Sequence, residues 1–392
     1  INYYAHYDFR VTVSLFHIIL AELPIAQNYV GIVFNEITSF IVLPFIAIII
    51  IEIMHKTDIL IKIKLKYSII PVLIFLVSLI FSIQFDGKLN NYAPLYKVPN
   101  VFISYFYLFS EKKQTREDIY FSKTENHQVD NIIFIVCEGV HGKRLSINDY
   151  SVDTTPYLKS VSPRIFNYGI ASSGFDHTLF SHRIMQKGVR SDEVLDIQNI
   201  IDSRPSMFQY AKKANYNVYY LDAQYPHRGN PILTEYDKFY VDKTYYTSDN
   251  QELRSKNNQY KKDFFLADKL IEMLENRVNT KNFFYVNKAG THEPFEMSYP
   301  EDQKIFKPTL SKNVTFSTWE KTSNSYYNSI RWNVDEFFKY LIKKTDKFEN
   351  LLIIYTSDHG SHLVRESKFN KNTKINDESL LANVPLFTIY SN

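Results

Sequence analysis

The feature that most limits how this chain folds is an uncharged apolar run of eighteen residues, Ser68–Phe85. A helix of that length is long enough to cross the hydrocarbon core of a bilayer. A second apolar stretch covers Ser39–Ile51 and continues to Met54 across Glu52, and a shorter one covers Val11–Leu20. Each stretch alone is also compatible with a buried helix of a soluble protein. Two of them separated by a polar connector predict membrane spans.

The connector between these stretches, His55–Lys66, is rich in lysine and contains one acidic residue. The positive-inside rule places it in the cytoplasm, so the chain after about Gly87 lies on the other side of the membrane. We therefore predict transmembrane helices in residues 1–86, an interfacial linker in 87–127 and an outer domain in 128–392. Because the chain begins at Ile1 rather than Met, we expect further membrane sequence to precede it.

The outer domain alternates short apolar runs with helical patterns. This alternation predicts an α/β domain with a mostly parallel sheet between layers of helices. The predicted strands are Ile132–Val136, Val218–Leu221, Asn282–Asn287, Leu351–Thr356 and Leu386–Ile389, and the predicted helices are Met207–Ala214, Asp263–Glu275 and Tyr327–Lys343. A net charge of +3 over 392 residues gives no indication of a nucleic-acid partner, and a single cysteine excludes an intramolecular disulfide.

Polar side chains follow three of the predicted strands. Glu138 comes directly after the first, and Asp358 and His359 come after the fourth. A third strand, in the segment FFYVNKAGTHEPF, runs up to His292, with Gly290 forming a tight turn. The carboxyl ends of parallel strands are where α/β enzymes place their sites. Carboxylates and imidazole suit zinc, and an oxygen-rich set also suits manganese. His292 alone is equally compatible with a surface turn.

A group-transfer site also needs a nucleophile, and the segment from Asn167 to Met185 offers four hydroxyls: Ser172, Ser173, Thr178 and Ser181. A hydroxyl is a poor nucleophile unless a base or a metal lowers its pKa. A metal held by Glu138, Asp358 and His359 would activate a hydroxyl beside it. A turn rich in Ser and Thr that caps a helix fits the same segment equally well.

The motifs occur in an order that resembles the alkaline-phosphatase and sulfatase superfamily. They are the strand that ends in Glu138, NDYSVDTTPYL, SSGFDHTLFS, GTHEPF and YTSDHG. More narrowly, the chain is similar to the membrane-anchored phosphoethanolamine transferases that modify lipid A and the lipooligosaccharide core. The likeness runs from about Leu89 to the C-terminus. It implies a sulfatase-like sheet sandwiched by helices behind a transmembrane anchor.

The resemblance implies a role for each matching residue. Glu138, Asp358 and His359 would hold a catalytic zinc, with manganese as the alternative ion. Thr178 would be the fourth ligand and the nucleophile, because Leu179-Phe180-Ser181 repeats the order that follows the family's threonine. The spacing from the upstream glycine is one residue longer than in the lipid A enzymes, so Ser181 and Ser173 remain alternatives.

Further roles implied by the resemblance concern the substrate and a second metal. His292 would contact the phosphoryl group or a second metal, and it would protonate the leaving oxygen. Gln224 and Arg228 fall where relatives hold the phosphoethanolamine headgroup, although their residue types differ from the usual ones. No histidine follows His362. A second metal would therefore need His362, which would otherwise contact substrate.

The function implied is the transfer of phosphoethanolamine from phosphatidylethanolamine to a lipopolysaccharide or lipooligosaccharide acceptor. The enzyme would be a multi-pass protein of a bacterial inner membrane with its catalytic domain in the periplasm, and the absence of disulfides favours a core sugar or another acceptor over lipid A. The nearest rival is a phosphoglycerol transferase acting on a glycolipid or glucan. A sulfatase is disfavoured because Cys137 lacks the Cys/Ser-x-Pro-x-Arg context, and we predict that Cys137 is a small packed residue. An inactive scaffolding module is a further alternative.

Overall fold

The computed structural model describes residues 116–120, 129–190, 193, 200–201, 203–227, 230–276, 280–361 and 381–391. All of them belong to a compact unit that runs from Gln114 to Asn392. The three predicted membrane stretches, Arg228 and His362 lie outside the described residues. Among the residues that are described, none of the helices has the length and apolar character needed to cross a bilayer.

A seven-stranded sheet forms the centre of this unit. Its strands are β1 (Asn131–Cys137), β2 (Ile165–Ser172), β3 (Asn217–Asp222), β4 (Lys243–Tyr246), β5 (Asn282–Asn287), β6 (Leu351–Ser357) and β7 (Asn383–Ser391). They lie in the order β2-β7-β6-β1-β5-β3-β4. The five strands from β6 to β4 are parallel, whereas β7 pairs antiparallel with both β6 and β2. The predicted α/β class and the mostly parallel sheet are confirmed.

The described α-helices are α1 (Pro156–Ser160), α2 (Thr178–Lys187), α3 (Met207–Lys213), α4 (Glu235–Lys238), α5 (Lys262–Asn276), α6 (Trp319–Ile330) and α7 (Phe337–Thr345). A π-helical segment, Arg331–Glu336, joins α6 to α7. The 3-10 turns are Gly142–Arg144, Ser146–Asn148, Ser162–Arg164, Thr247–Asp249, Glu252–Arg254, Lys256–Lys261, Phe295–Met297 and Glu301–Gln303. The predicted helix over residues 327–343 is thus the second half of a longer helical stretch.

Two hydrophobic cores lie on opposite faces of the sheet, and the alternation of side chains along β5 shows how the strands divide between them. Phe284 and Val286 pack into one core with α5, α6 and α7. Phe283 and Tyr285 pack into the other, where Phe208 of α3 contacts them. Strands buried on both faces read as continuous apolar runs, which is why β1, β5 and β6 were recognisable in the sequence.

The edge strand β2 was not predicted, because its sequence does not have the pattern of a buried strand. Phe166 and Tyr168 are exposed, and only Ile165 is buried. A register shift between Asn167 and Gly169 interrupts the pairing with β7, and Gly169 has a positive φ of 78°. Side-chain burial therefore contributes little to β2, and pairing with β7 defines it.

The predicted strand Asn282–Asn287 is confirmed as β5, and the predicted tight turn follows it. The strand does not extend to His292, because the turn at 288–291 lies between them. Gly290 has a φ of 56°, a left-handed conformation that glycine adopts without strain. The turn carries His292 beyond the sheet edge, and its side chain is exposed.

The segment 116–120 packs against the rest of the unit through buried charged side chains. The Arg116 guanidinium lies 2.5 Å from Asp237 Oδ1, and the Lys187 ammonium lies 3.1 Å from the same oxygen. Ile119 is buried, and Glu117 N–H donates to the Ser203 carbonyl. Because Lys187 ends α2, this part of the predicted linker shares a buried ion cluster with the helix that begins at Thr178.

Candidate metal centre

The candidate site is formed by two strand ends that the sheet brings together. Strands β1 and β6 are neighbours, and Cys137 pairs with Ser357. The next residues, Glu138 after β1 and Asp358 after β6, therefore emerge side by side at the carboxyl edge of the sheet. Ligand atoms of Glu138, Asp358 and His359 all lie within 4.8 Å of one another, and all three residues are buried. The structure thus brings the three predicted metal ligands together.

Asp358 has one oxygen that is bonded to the backbone and one that is not. Its Oδ1 accepts from Gly139 N–H at 3.0 Å and from His359 N–H at 2.7 Å. Its Oδ2 is buried and makes no hydrogen bond to any described residue. This oxygen lies 3.5 Å from His359 Nε2. A buried carboxylate oxygen without a hydrogen-bond donor is costly unless a cation satisfies it.

The His359 ring is oriented by a hydrogen bond to the backbone. Its Nδ1 lies 2.7 Å from the Gly360 carbonyl oxygen. A carbonyl can only accept, so Nδ1 carries a hydrogen, and Nε2 faces the cluster, where it offers a lone pair to a metal once it has lost its proton. Nε2 lies 3.2 Å from Glu138 Oε1. Fixing one ring nitrogen through the backbone while the other faces a metal is the usual arrangement of histidine ligands.

Thr178 brings a hydroxyl to the same cluster from a different part of the chain. It is the first residue of α2, and it is buried. Its Oγ1 donates to Glu138 Oε2 at 3.0 Å and lies 3.3 Å from His359 Nε2. Its hydroxyl therefore lies among the oxygen and nitrogen atoms that face the centre of the cluster.

The three titratable groups strongly influence one another. Burial and the neighbouring Glu138 raise the pKa of Asp358. Burial alone would lower the pKa of His359, but the two carboxylates raise it to about 10. Burial opposes ionisation of Glu138, yet His359, and to a smaller extent His292, hold its pKa below the usual range. Two buried carboxylates and an imidazole thus need positive charge between them.

The residues present fit a divalent cation. The cluster supplies two carboxylates, one imidazole with the correct nitrogen exposed and one hydroxyl, a donor set that suits zinc. The buried Asp358 Oδ2 is independent evidence for a bound cation, because no described residue donates a hydrogen bond to it. An imidazole within the set favours zinc over magnesium or calcium, and manganese is compatible with its oxygens.

The alternative hydroxyls have other partners. Ser181 Oγ donates to the Phe175 carbonyl at 2.9 Å, and Ser173 Oγ donates to the same oxygen. The exposed Ser172 hydroxyl lies 3.4 Å from the Ser173 carbonyl. These contacts stabilise the turn that precedes α2. Of the four candidate hydroxyls, Thr178 is the one bonded to the acidic cluster.

His292 lies within electrostatic range of the cluster but outside it. Its charge contributes to the lowered pKa of Glu138. Its Nδ1 lies 2.6 Å from the Glu293 carbonyl, so Nδ1 carries a hydrogen and Nε2 is the nitrogen available to substrate. The exposed position is suited to contact with a bound molecule.

Gln224, predicted to hold the headgroup, is largely used by the protein itself. Its Nε2 donates to Asn287 Oδ1 at 2.9 Å and to the Lys288 carbonyl at 2.8 Å. Its backbone N–H donates to Asp222. The side chain thus links the ends of β3 and β5 at the carboxyl edge. Its predicted partner, Arg228, and the predicted substrate or second-metal residue, His362, are not among the described residues.

Cys137 is fully buried in the core that contains Phe284 and Val286, as expected for a small packed residue. Burial raises the pKa of its thiol to about 12. A thiol that stays protonated is neither a nucleophile nor a good metal ligand.

Residues that support the cluster were not recognised in the sequence. Asp263 binds the turn after β5, Lys288 and Thr291 are the first and last residues of that turn, and the Tyr326 hydroxyl donates to the Gly139 carbonyl beside Glu138. The sequence offers one clue, a lysine directly after the fully buried strand Asn282–Asn287. A lysine there must either reach solvent or find a buried acid.

The part of the chain that forms this site matches a known protein family. A family model described as Sulfatase matches residues 130–392. The chain belongs to the sulfatase family. The predicted superfamily is therefore confirmed.

Two curated relatives are named as transferases. The transferase-like protein YhbX of Escherichia coli O157:H7 is 24% identical over 341 residues, which are 82% of this chain and 57% of the relative. Phosphoethanolamine transferase EptC of Escherichia coli O18:K1:H7 is 23% identical over 247 residues, which are 62% of this chain and 41% of the relative. The chain spans about half the length of the curated relatives that it matches.

The fold is similar to that of two solved transferases. The integral membrane lipooligosaccharide phosphoethanolamine transferase EptA of Neisseria meningitidis has a TM-score of 0.61 and 19% identity, with 76% of this chain and 55% of that chain covered. The periplasmic domain of Escherichia coli EptC in complex with zinc has a TM-score of 0.54 and 20% identity, with 69% and 75% covered. At these identities the likeness shows the shared fold.

Proposed function

We propose that the protein transfers phosphoethanolamine from phosphatidylethanolamine to a lipopolysaccharide or lipooligosaccharide acceptor, with Thr178 as the nucleophile. The observation that carries the proposal is the buried Thr178 hydroxyl, bonded to Glu138 within the Glu138–Asp358–His359 cluster. The names of the relatives support the choice of phosphoethanolamine as the transferred group.

Glu138, Asp358 and His359 would hold one zinc ion, with Thr178 as the fourth ligand. When bound, the ion lowers the pKa of the neighbouring hydroxyl and neutralises charge on the phosphoryl oxygens. Manganese is the alternative. A second ion would need His362 or His292.

The start of α2 would bind the phosphoryl group. Thr178 is the first of ten residues in this helix. The N–H groups of a first helical turn have no carbonyl partner within the helix, and the helix dipole favours negative charge there. A phosphate at this position would accept hydrogen bonds from these N–H groups, and its phosphorus would face the Thr178 hydroxyl.

In the first step Thr178 Oγ1 bonds to phosphorus and the bond from phosphorus to the diacylglycerol oxygen breaks. Glu138 Oε2 already accepts the hydrogen of Oγ1 at 3.0 Å, so it orients the oxygen for attack and takes up its proton as the bond to phosphorus forms. The departing diacylglycerol oxygen takes up a proton. His292, whose charge reaches the cluster, is the proposed donor.

In the second step an acceptor oxygen attacks the phosphothreonine. A hydroxyl of a core sugar or a phosphate of lipid A forms the new bond to phosphorus, and an attacking hydroxyl passes its proton to the histidine that served as the donor in the first step. The bond from phosphorus to Thr178 Oγ1 breaks, and Oγ1 regains the hydrogen that it gave to the glutamate in the first step. Gln224 and Arg228 are the proposed contacts to the phosphoethanolamine headgroup. With Gln224 Nε2 bonded to Asn287 and Lys288, its carbonyl oxygen is the atom suited to accept an ammonium hydrogen.

A donor that lies in a bilayer requires a catalytic domain held close to the membrane. The predicted spans in residues 1–86 would provide that anchor. We propose a multi-pass protein of the bacterial inner membrane whose catalytic domain lies in the periplasm, beyond the linker 87–127.

The test is headgroup transfer by the full chain reconstituted in vesicles. Wild-type protein with phosphatidylethanolamine labelled in the headgroup should release diacylglycerol and retain label, and Thr178→Ala should do neither. Lipopolysaccharide added afterwards should remove the label. Label retained only from phosphatidylglycerol would favour a phosphoglycerol transferase. Labelled lipid converted to free phosphoethanolamine without acceptor, at undiminished rate in Thr178→Ala, would refute the proposal.

A further inference from the structure

We propose that Asp263 is a positioning residue for Glu138, acting through the turn that follows β5. The inference rests on the metal centre of the proposed function. Asp263 lies in the first turn of α5 and is buried. It touches neither Thr178 nor the proposed ligands in any contact that the structure gives, so its effect on the site would be transmitted by backbone.

The carboxylate of Asp263 binds the turn by two adjacent N–H groups. Oδ1 accepts from Ala289 N–H at 2.8 Å, and Oδ2 accepts from Gly290 N–H at 3.1 Å. Hydrogen bonds to an ionised acceptor are stronger than those between neutral groups. The pair of bonds fixes the two peptide groups on either side of Ala289.

The same turn lies directly against Glu138. Thr291 donates to the Glu138 carbonyl twice, from its N–H at 3.0 Å and from its Oγ1 at 3.0 Å. Gly290 packs so closely that an added Cβ would lie 2.6 Å from both the N and the O of Glu138. Any movement of the turn towards the sheet would therefore displace the backbone of Glu138.

Asp263 is itself held in place by a buried cation. Lys288 Nζ lies 3.6 Å from Asp263 Oδ2 and donates to the Asn333 carbonyl. The Phe337 ring centroid lies 3.3 Å from the same ammonium. Lys288 has no exposed surface. Removing the carboxylate would leave a buried ammonium without its acid, which strains the turn further.

Glu138 is thus held from two sides. On the β6 side, the backbone N–H groups of the two residues that follow Glu138 in the chain donate to Asp358 Oδ1 and to Ser357 Oγ, respectively. On the β5 side, the turn fixed by Asp263 provides the contacts. The β6 contacts come from the ligand strand itself, whereas Asp263 comes from a helix. Losing an outer contact of this kind typically weakens metal binding by about 10–100-fold.

The first test compares two buried aspartates by zinc affinity, measured with zinc alone and a competing chelator on the full chain in detergent. Asp263→Asn should weaken zinc binding by about 10–100-fold. Asp335→Asn is the control, because Asp335 is also buried and accepts from two consecutive N–H groups, those of Tyr157 and Leu158. It should keep the affinity of wild type. Equal zinc affinity in Asp263→Asn and wild type would overturn the inference, as would equal losses in both variants.

If Asp263→Asn does not fold, a pair of glycine variants tests whether the turn after β5 positions Glu138. Gly290 and Gly188 have φ values of 56° and 58°, so alanine is strained equally at both. A Cβ at Gly188 meets nothing within 4 Å, whereas one at Gly290 meets Glu138. Gly290→Ala should lose zinc affinity and Gly188→Ala should not. Unchanged affinity in Gly290→Ala would show that the turn does not position Glu138. None of these measurements needs phosphoethanolamine transfer, so a failure of the proposed reaction is distinguishable from a failure here.

Discussion

The Thr178 hydroxyl donates a hydrogen bond to Glu138 Oε2 over 3.0 Å, although 40 residues separate the two in the chain. One residue begins a helix and the other follows a central strand. Their contact places a potential nucleophile among potential metal ligands. Substitutions at either residue therefore test the proposed function.

Thr178→Ala should abolish headgroup transfer, because none of the other candidate hydroxyls in the segment from Asn167 to Met185 is bonded to the side chains of the cluster. Thr178→Ser keeps a hydroxyl and should retain measurable transfer. Ser181→Ala is the control, since Ser181 donates to the Phe175 carbonyl instead. Transfer rates of the three variants in vesicles, compared with wild type, provide the measurement. Transfer lost in Ser181→Ala but kept in Thr178→Ala would reassign the nucleophile.

Glu138→Gln should reduce the zinc content of the purified protein, because it removes a negative ligand from the cluster. Asp222→Asn is a matched change at another strand end. Asp222 is fully buried and accepts from the Tyr220 hydroxyl and the Asn230 amide, away from the cluster. Elemental analysis should find zinc retained in this control. Zinc at wild-type level in Glu138→Gln would remove Glu138 from the metal site.

Chelator-treated protein should become less stable as the pH rises from about 6 to 9, given an ordinary histidine pKa of about 6.5. The pKa of His359 is raised to about 10, so its stabilising contribution is complete below the unfolded value and is lost as the pH approaches 10. The raised pKa of Asp358 acts in the same direction at lower pH. Asp358→Asn removes one of the two carboxylates that raise the pKa of His359, and it should flatten the dependence.

Zinc should reverse that dependence. A metal competes with protons for these side chains, so its affinity rises with pH. Thermal unfolding of the full chain in detergent, with zinc and with chelator, measures both effects. A chelator-treated protein whose melting temperature rises steadily across this range would contradict the charge arrangement described for the cluster.

A site residue could be predicted from the sequence where it directly follows a recognisable strand. Glu138, Asp358 and His359 follow continuous apolar runs, and parallel strands bring such ends together. Thr178 could not be located in this way, because the strand before it has mostly exposed side chains. The family resemblance, rather than periodicity, selected it.

The supporting residues were beyond sequence reasoning for a physical reason. Asp263 acts through two backbone N–H groups 26 and 27 residues further along the chain, and hydrogen bonds to backbone leave no pattern of side-chain types. Lys288 was the one clue to this arrangement, since a lysine directly after a fully buried strand is rarely buried without a paired acid. The end of β5 was predictable, because its apolar run stops at Asn287 and a glycine follows three residues later.

Phe338→Ala should destabilise the catalytic domain by about 3–5 kcal/mol, as expected for a buried phenylalanine in a packed core. Phe338 has no exposed surface, and its ring packs against Tyr355 and Phe387 at centroid distances of 4.9 and 5.1 Å. Phe166→Ala, at a residue that is 70% exposed, should leave stability nearly unchanged. Denaturant unfolding of both variants measures the difference, and equal losses would contradict the described core.

The most direct test of the central claim is to locate the phosphoethanolamine on the protein. Full-length protein is incubated in vesicles with phosphatidylethanolamine and no acceptor, quenched in acid and digested for peptide mass spectrometry. We expect a phosphoethanolamine group on Thr178, which disappears when lipopolysaccharide is added before quenching. An adduct on Ser173 or Ser181, or diacylglycerol release with no modified peptide, would contradict it.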